Sequence, residues 1–239
     1  MKDKMSKAVI YLIIATLLNV SCQKLLFNDD ENRREIPLND FHAVRISGIY
    51  NIVLIQDSTN HLVITGKDNI NSIDAIIIND TLIINDNKKI SLNPEKNTIT
   101  LHFSNIDFLQ TNDPVYISGT DTLRADQFIY EAIGEIAEVR LTIDCNYFLI
   151  VNSANTLGNF HISGKAIFCT IFNRYGSTVF ADRLICKSAE IVNESVGAVY
   201  ISASEYIKAF IWGPGNIYYS GDPVIEIGEK KGNGRLIRL

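Results

Sequence analysis

The sequence predicts an all-β protein built largely as a β-solenoid, and three observations carry that expectation. After Cys22 there is almost no helical periodicity; short runs rich in Ile, Val, Phe, Tyr and Thr alternate with Asn, Asp and Gly. In the second half, apolar strand starts recur at Val115, Val139, Phe160, Val179, Val199 and Ile217, at intervals of 24, 21, 19, 20 and 18 residues. Asn recurs at one phase before them, in Gln110-Thr111-Asn112, Ile150-Val151-Asn152, Ile171-Phe172-Asn173 and Ile191-Val192-Asn193. A repeat of about twenty residues suits a solenoid, in which each coil buries its apolar side on the next.

The elements follow in chain order. Residues 1–21 read as a secretory signal: Lys2, Lys4 and Lys7 precede an apolar stretch from Ala8 to Val20, and Ser21 stands before Cys22. That stretch is shorter than the roughly 20 apolar residues a membrane-spanning helix needs. Cys22 is placed as in the lipobox of bacterial lipoproteins, with Asn19 where Leu is usual and Leu18 one place early. Acylation there would anchor the chain to the membrane, because each buried CH₂ contributes about 0.8 kcal/mol and more than one acyl chain makes attachment stable. Residues 22–35 carry Asn28-Asp29-Asp30-Glu31-Asn32 without apolar periodicity and read as a flexible tether.

Residues 36–105 form the N-terminal β region. Its strands are expected at Phe41–Ser47, Tyr50–Gln56, His61–Thr65, Ile73–Ile78, Thr81–Asn85 and Thr98–Phe103, with a tight turn at Asn79-Asp80, as a small antiparallel sheet or as the first coils of a larger β structure. Residues 106–239 form the repeat region, a right-handed β-helix that continues from residue 36 as one domain. Leucine-rich repeats are excluded because Leu-x-x-Leu-x-Leu-x-x-Asn does not recur.

In a stack of coils, equivalent residues lie about 4.8 Å apart. Asn112, Asn152, Asn173 and Asn193 therefore read as a structural ladder of pairing amides, with Trp212 in place of the Asn in the last copy. Cys145 and Cys186 each precede their ladder Asn by seven residues but lie two coils apart, roughly 9–10 Å, too far for a disulfide. Cys169, four residues before its Asn, falls on the opposite face of a regular strand.

Charge and motifs exclude several classes. The whole chain has a net charge of −5, and loss of the signal (three Lys, one Asp) leaves −7, with no basic stripe for nucleic acid. His42, His61, His102 and His161 are scattered singly, and no metal-binding, nucleophile-elbow or phosphate-loop pattern occurs. Gly213-Pro214-Gly215 is a turn. Asp121, Asp126, Glu131, Glu135 and Glu138 are the acids that would supply a calcium site or an acid/base pair, and they read instead as a solvated face. No cofactor and no metal are expected. Among the aromatics, Tyr175, Trp212 and Tyr218 are the candidates for a binding face, within a set that also holds Tyr200, Tyr206 and Tyr219.

Ser47-Gly48-Ile49-Tyr50-Asn51-Ile52 opens the first half, and Gly213-Pro214-Gly215-Asn216-Ile217-Tyr218-Tyr219-Ser220-Gly221-Asp222-Pro223 closes the second. With the repeats between them, these resemble the bacterial family called putative auto-transporter adhesin, head GIN domain, over about residues 38 to 225. Its members are typically exported, many of them lipoproteins of Bacteroidetes-type bacteria. The usual Ser-Gly-rich turns are replaced here by Asn152-Ser153-Ala154-Asn155, Asn173-Arg174-Tyr175-Gly176 and Asn193-Glu194-Ser195-Val196-Gly197. The resemblance implies a β-helical fold and no catalytic residues.

The expected protein is a non-enzymatic envelope lipoprotein, held at the outer membrane by its lipid on the cell surface or the periplasmic face. It acts as an adhesin or surface binding module for a protein or glycan, with exposed sheet edges that open a route to homo-oligomers. The alternatives are a structural lipoprotein bound to another envelope protein and, third, a β-helix carbohydrate-active enzyme. The last requires longer coils and a groove of clustered acids or Lys/Arg.

Overall fold

A computed structural model describes residues 32–66, 70–86, 97–134, 136–153 and 155–239. The signal segment, Cys22 and tether residues 23–31 lie outside the described residues. Asn32–Leu239 forms one compact unit.

The described chain is nearly all strand. In order these are β1 (Asn32–Pro37), β2 (Ala43–Ser47), β3 (Tyr50–Gln56), β4 (His61–Gly66), β5 (Ile73–Ile78), β6 (Thr81–Asp86), β7 (Asn97–Phe103), β8 (Phe108–Thr111), β9 (Val115–Ala132), β10 (Ile136–Asn152), β11 (Leu157–Tyr175), β12 (Thr178–Ser195), β13 (Val199–Ile211), β14 (Ile217–Ser220), β15 (Val224–Lys230) and β16 (Leu236–Arg238). They wind a β-solenoid of about six turns. β9 to β12 are long because each runs around a corner and so contributes to two walls. The leading wall stacks β1-β4-β7-β3 on the first parts of β9 to β13, then β14 and β16. The trailing wall stacks β5-β6-β2-β8 on the later parts of β9 to β13, then β15.

Alternation of apolar and polar residues turns one side of every strand inward. Along the leading wall the inward column reads Ile99, Ile52, Ile117, Val139, Phe160, Val179, Val199 and Ile217, each in register with the next and all buried. Burial of such side chains contributes about 1.5–3 kcal/mol apiece, more than the roughly 1 kcal/mol net of a hydrogen bond, so this column sets the register of the stack. Val139 aligns with Ile117, so the repeat starts two residues later than Val115, on the same face.

The N-terminal region is more mixed than neighbouring strands predict. The antiparallel pairs are present (β1–β4, β4–β7 and β5–β6), and Asn79 and Asp80 adopt positive φ of 48° and 64° in the tight β5–β6 turn. Yet β2–β6, β2–β8, β3–β7 and β3–β9 are parallel, and these pairs carry the solenoid into the first half without a break. Residues 32–35 are not tether: they lie in β1 and pair with Ile64 through Gly66 and Val63 of β4.

Candidate binding face

Two of the solenoid's surfaces hold the residues singled out by sequence. The first is the turn that ends each coil. Asn152 Nδ2 donates to Asn173 Oδ1 at 2.9 Å, and Asn173 Nδ2 donates to Asn193 Oδ1 at 2.9 Å and to the Ser177 carbonyl at 2.9 Å. Asn193 Nδ2 in turn reaches the carbonyls of Gly197 (3.2 Å) and Gly215 (3.0 Å). All three Asn are buried, and Thr156, Ser177 and Ser195 form a second polar column whose hydroxyls donate to the carbonyls of Ala132, Thr156 and Ser177.

Asn112 does not belong to this ladder. It is exposed and donates to Ser47 Oγ, while Thr111 takes the register position opposite Ala132, the residue that replaces Asn above Asn152. Trp212 is also one place off: Ile211 stands opposite Asn193. Trp212 packs edge-on to Phe210 at 6.1 Å, with Lys231 Nζ 4.8 Å from its ring centroid.

Cys145 and Cys186 face inward at one position two coils apart, with Ala166 between them. Cys169 faces inward too, contrary to strand parity, because Ile167 and Phe168 both point outward at the corner and reset the alternation. The three thiols are free, and burial pushes Cys145 up to about 11 and Cys186 up to about 12. They are core residues.

The candidate acids do not assemble. Glu131 accepts from Gln110, Asp126 accepts from Asn146, Asp121 bonds Thr120, and Glu138 pairs with Arg140 at 2.8 Å; Glu135 lies outside the described residues. No cluster of three metal-ligating side chains occurs among the described residues. Two of the histidines do meet: His61 and His102 stack at 3.9 Å, and His102 Nδ1 lies 2.7 Å from Asp57. Hydrogen bonds from the Thr59 N–H, first, and from His102 lower the Asp57 carboxyl to about 2.

The second surface is the outer side of the leading wall. The residue following each inward anchor points to solvent, which gives the column Arg140, His161, Phe180, Tyr200 and Tyr218. The four rings stack at centroid distances of 4.6, 5.3 and 4.9 Å, with planes within 6°, 8° and 12° of parallel. In that arrangement the faces of Phe180 and Tyr200 are covered by their neighbours, and the column presents ring edges and phenol hydroxyls outward. Tyr218 is the one sequence candidate in it. Tyr175 stands apart, exposed on the turn surface at φ 59°, so Tyr175, Trp212 and Tyr218 share no common face.

Beside the upper end of the column lies a cleft of about 530 Å³, lined by Arg140, Thr142, His161, Ser163, Phe180, Asp182 and Arg183 among others. An extra residue opens it. His161 pairs with Phe180 but Ser163 pairs with Arg183, so β12 bulges at Ala181–Asp182 and projects both charges outward. Arg140 is held by Glu138, whose carboxylate also lies 3.7 Å from His161 Nε2. Neither Asp182 nor Arg183 forms an ion pair among the described residues. The sequence signal for this face was present but unread: the strand starts Phe160, Val179, Val199 and Ile217 are each followed by an aromatic ring, His161, Phe180, Tyr200 and Tyr218.

Coil, column and cleft define a β-solenoid with a flat, stacked outer face. A family model described as putative auto-transporter adhesin, head GIN domain, matches residues 40–223. The chain belongs to this family. Solved structures extend the likeness in fold. A putative adhesin from Bacteroides fragilis NCTC 9343 is 21% identical, with a TM-score of 0.80 over 88% of this chain and 98% of its own. A putative lipid binding protein from Parabacteroides distasonis ATCC 8503 is 17% identical, at 0.66 over 89% and 98%. A putative adhesin from Parabacteroides merdae ATCC 43184 is 16% identical, at 0.58 over 89% and 97%. No curated protein matches the chain. No helix among the described residues is long and apolar enough to cross a membrane.

Proposed function

We propose that this chain is a non-enzymatic binding module of adhesin type, exported and held at the outer membrane through lipid on Cys22. Its outer leading wall makes the contact with a protein or glycan. The stacked column His161–Phe180–Tyr200–Tyr218 carries this reading. Large aromatic side chains left at the surface in fixed rotamers offer contact area at little further entropic cost. Family membership and the lipobox-like Ser21-Cys22 support the surface location.

Metabolic palmitate labelling tests the anchor, and protease treatment of intact cells tests the face. Label lost in Cys22→Ala, with wild type shaved by protease, is the expected result. Cells displaying Tyr200→Ala/Tyr218→Ala should then lose adhesion to surface glycans and matrix proteins at unchanged expression. A labelled but protected protein would instead favour a periplasmic partner, and adhesion unaffected by the double variant would remove the face from the reading.

A further inference from the structure

The ligand class follows from which part of the aromatic column is accessible. Sugar-binding platforms offer ring faces to C–H groups, but here both faces of Phe180 and Tyr200 and one face each of His161 and Tyr218 are spent on neighbouring rings. What the row presents along its length is ring edge, and the aromatic quadrupole makes the edge positive and the face negative. A row of positive edges with the Tyr200 and Tyr218 hydroxyls favours oxygen-rich, anionic partners over the apolar face of a neutral sugar.

The cleft at the end of the row has matching chemistry. Arg183 is exposed, projected by the bulge and free of any ion pair among the described residues, so its planar fork is open to a carboxylate. Asp182 beside it accepts hydrogen bonds, as hydroxyl groups of a sugar require. Thr142 and Ser163, whose hydroxyls lie 2.9 Å apart, complete a polar rim. The acidic side chain among the lining residues is Asp182 itself, and Glu138, next to Arg140, is already engaged by it. With a net charge of −5 the chain as a whole repels polyanions, so attraction to one must come from this local set.

Resting on the surface-binding reading above, we infer that the ligand is a carboxylated glycan. A sugar carboxylate pairs with Arg183, neighbouring hydroxyls reach Asp182, and the chain runs along the ring edges from His161 to Tyr218.

Full-length protein purified in mild detergent is titrated with polygalacturonate and with the same polymer after carboxyl reduction. Polygalacturonate should bind at least about tenfold more tightly than the reduced polymer. Arg183→Gln, an exposed substitution whose unchanged urea midpoint verifies folding, should erase most of that difference. Lys187→Gln, which alters an exposed cation outside the cleft, should leave it intact. Equal affinity for both polymers, or an Arg183→Gln variant that still discriminates, overturns the proposal. Binding to neither polymer, while cell adhesion still depends on Tyr200 and Tyr218, overturns the ligand class and leaves the binding module standing. Adhesion that is indifferent to the face removes both.

Discussion

Asn173 shows how one side chain can hold two coils and close a turn. Its amide donates to Asn193 and to the Ser177 carbonyl while its oxygen receives Asn152, all in a fully buried site. Truncation would strand Asn152 Nδ2 in the core, at about 1–3 kcal/mol, and would remove one of two donors from the Ser177 carbonyl, which keeps Ser195 Oγ. Asn173→Ala should therefore cost about 3 kcal/mol in urea denaturation, and Asn112→Ala, at an exposed site, about 0.5 kcal/mol or less. Three members of the ladder were legible because Asn152, Asn173 and Asn193 end near-identical apolar runs. Asn112 was misread because matching on Asn alone ignores strand register. Pairing of Leu109 with Tyr130 and Thr111 with Ala132 places it one residue past the ladder, and that pairing is fixed by residues far apart in sequence.

At the scale of the element, corners decide what strand periodicity cannot. Period-2 reasoning holds along each wall and fails where the chain turns, as at Ile167–Phe168, and this puts Cys169 on the same inward side as the Cys145 and Cys186 position instead of the opposite one. The same corner uses a glycine for cause. Gly164 sits at φ 109°, and a Cβ there would lie 2.0 Å from the Ile143 carbonyl oxygen of the coil above. A non-glycine residue at such a φ costs about 1–3 kcal/mol before any clash is counted. Gly164→Ala should thus lower the urea midpoint at least as much as Asn173→Ala. It should also weaken binding at the cleft, because Ser163 is the residue before it. A variant as stable as wild type would show that the corner relaxes freely. The bulge at Asp182 is likewise invisible to a repeat count, since one inserted residue is lost within the natural spread of repeat lengths, yet it builds the cleft.

Over the whole molecule, six strands of the first half, β2 to β7, were legible to within about two residues, whereas β1 was read as tether and the strands' partners were not legible. Hairpin logic pairs neighbours, whereas β3 joins β7 and β9 in parallel, a choice made by the inward column Ile99–Ile52–Ile117 rather than by any turn. The result is a stack in which each coil is supported chiefly by the coils on either side, so stability should vary along its axis. β10 and β11 have partners above and below over nearly their full length, and β12 over most of it, its pairing to β13 lapsing at Asp182–Leu184 and Lys187. β15, by contrast, is exposed along every residue, and β14 and β16 are short and pair over only a few positions. Native-state hydrogen exchange read by mass spectrometry should resolve this. Amides of β11 should exchange only through near-global opening, and those of β15 and β16 at least about 100-fold faster through local fraying. Most of the face, from Arg140 on β10 to Tyr200 on β13, would then sit on the stiffer part of the solenoid, with Tyr218 on the short β14 at its softer end. Uniform protection from β10 to β16 would instead mean that the stack opens as one cooperative unit, and the position of the binding face within it would confer no added rigidity.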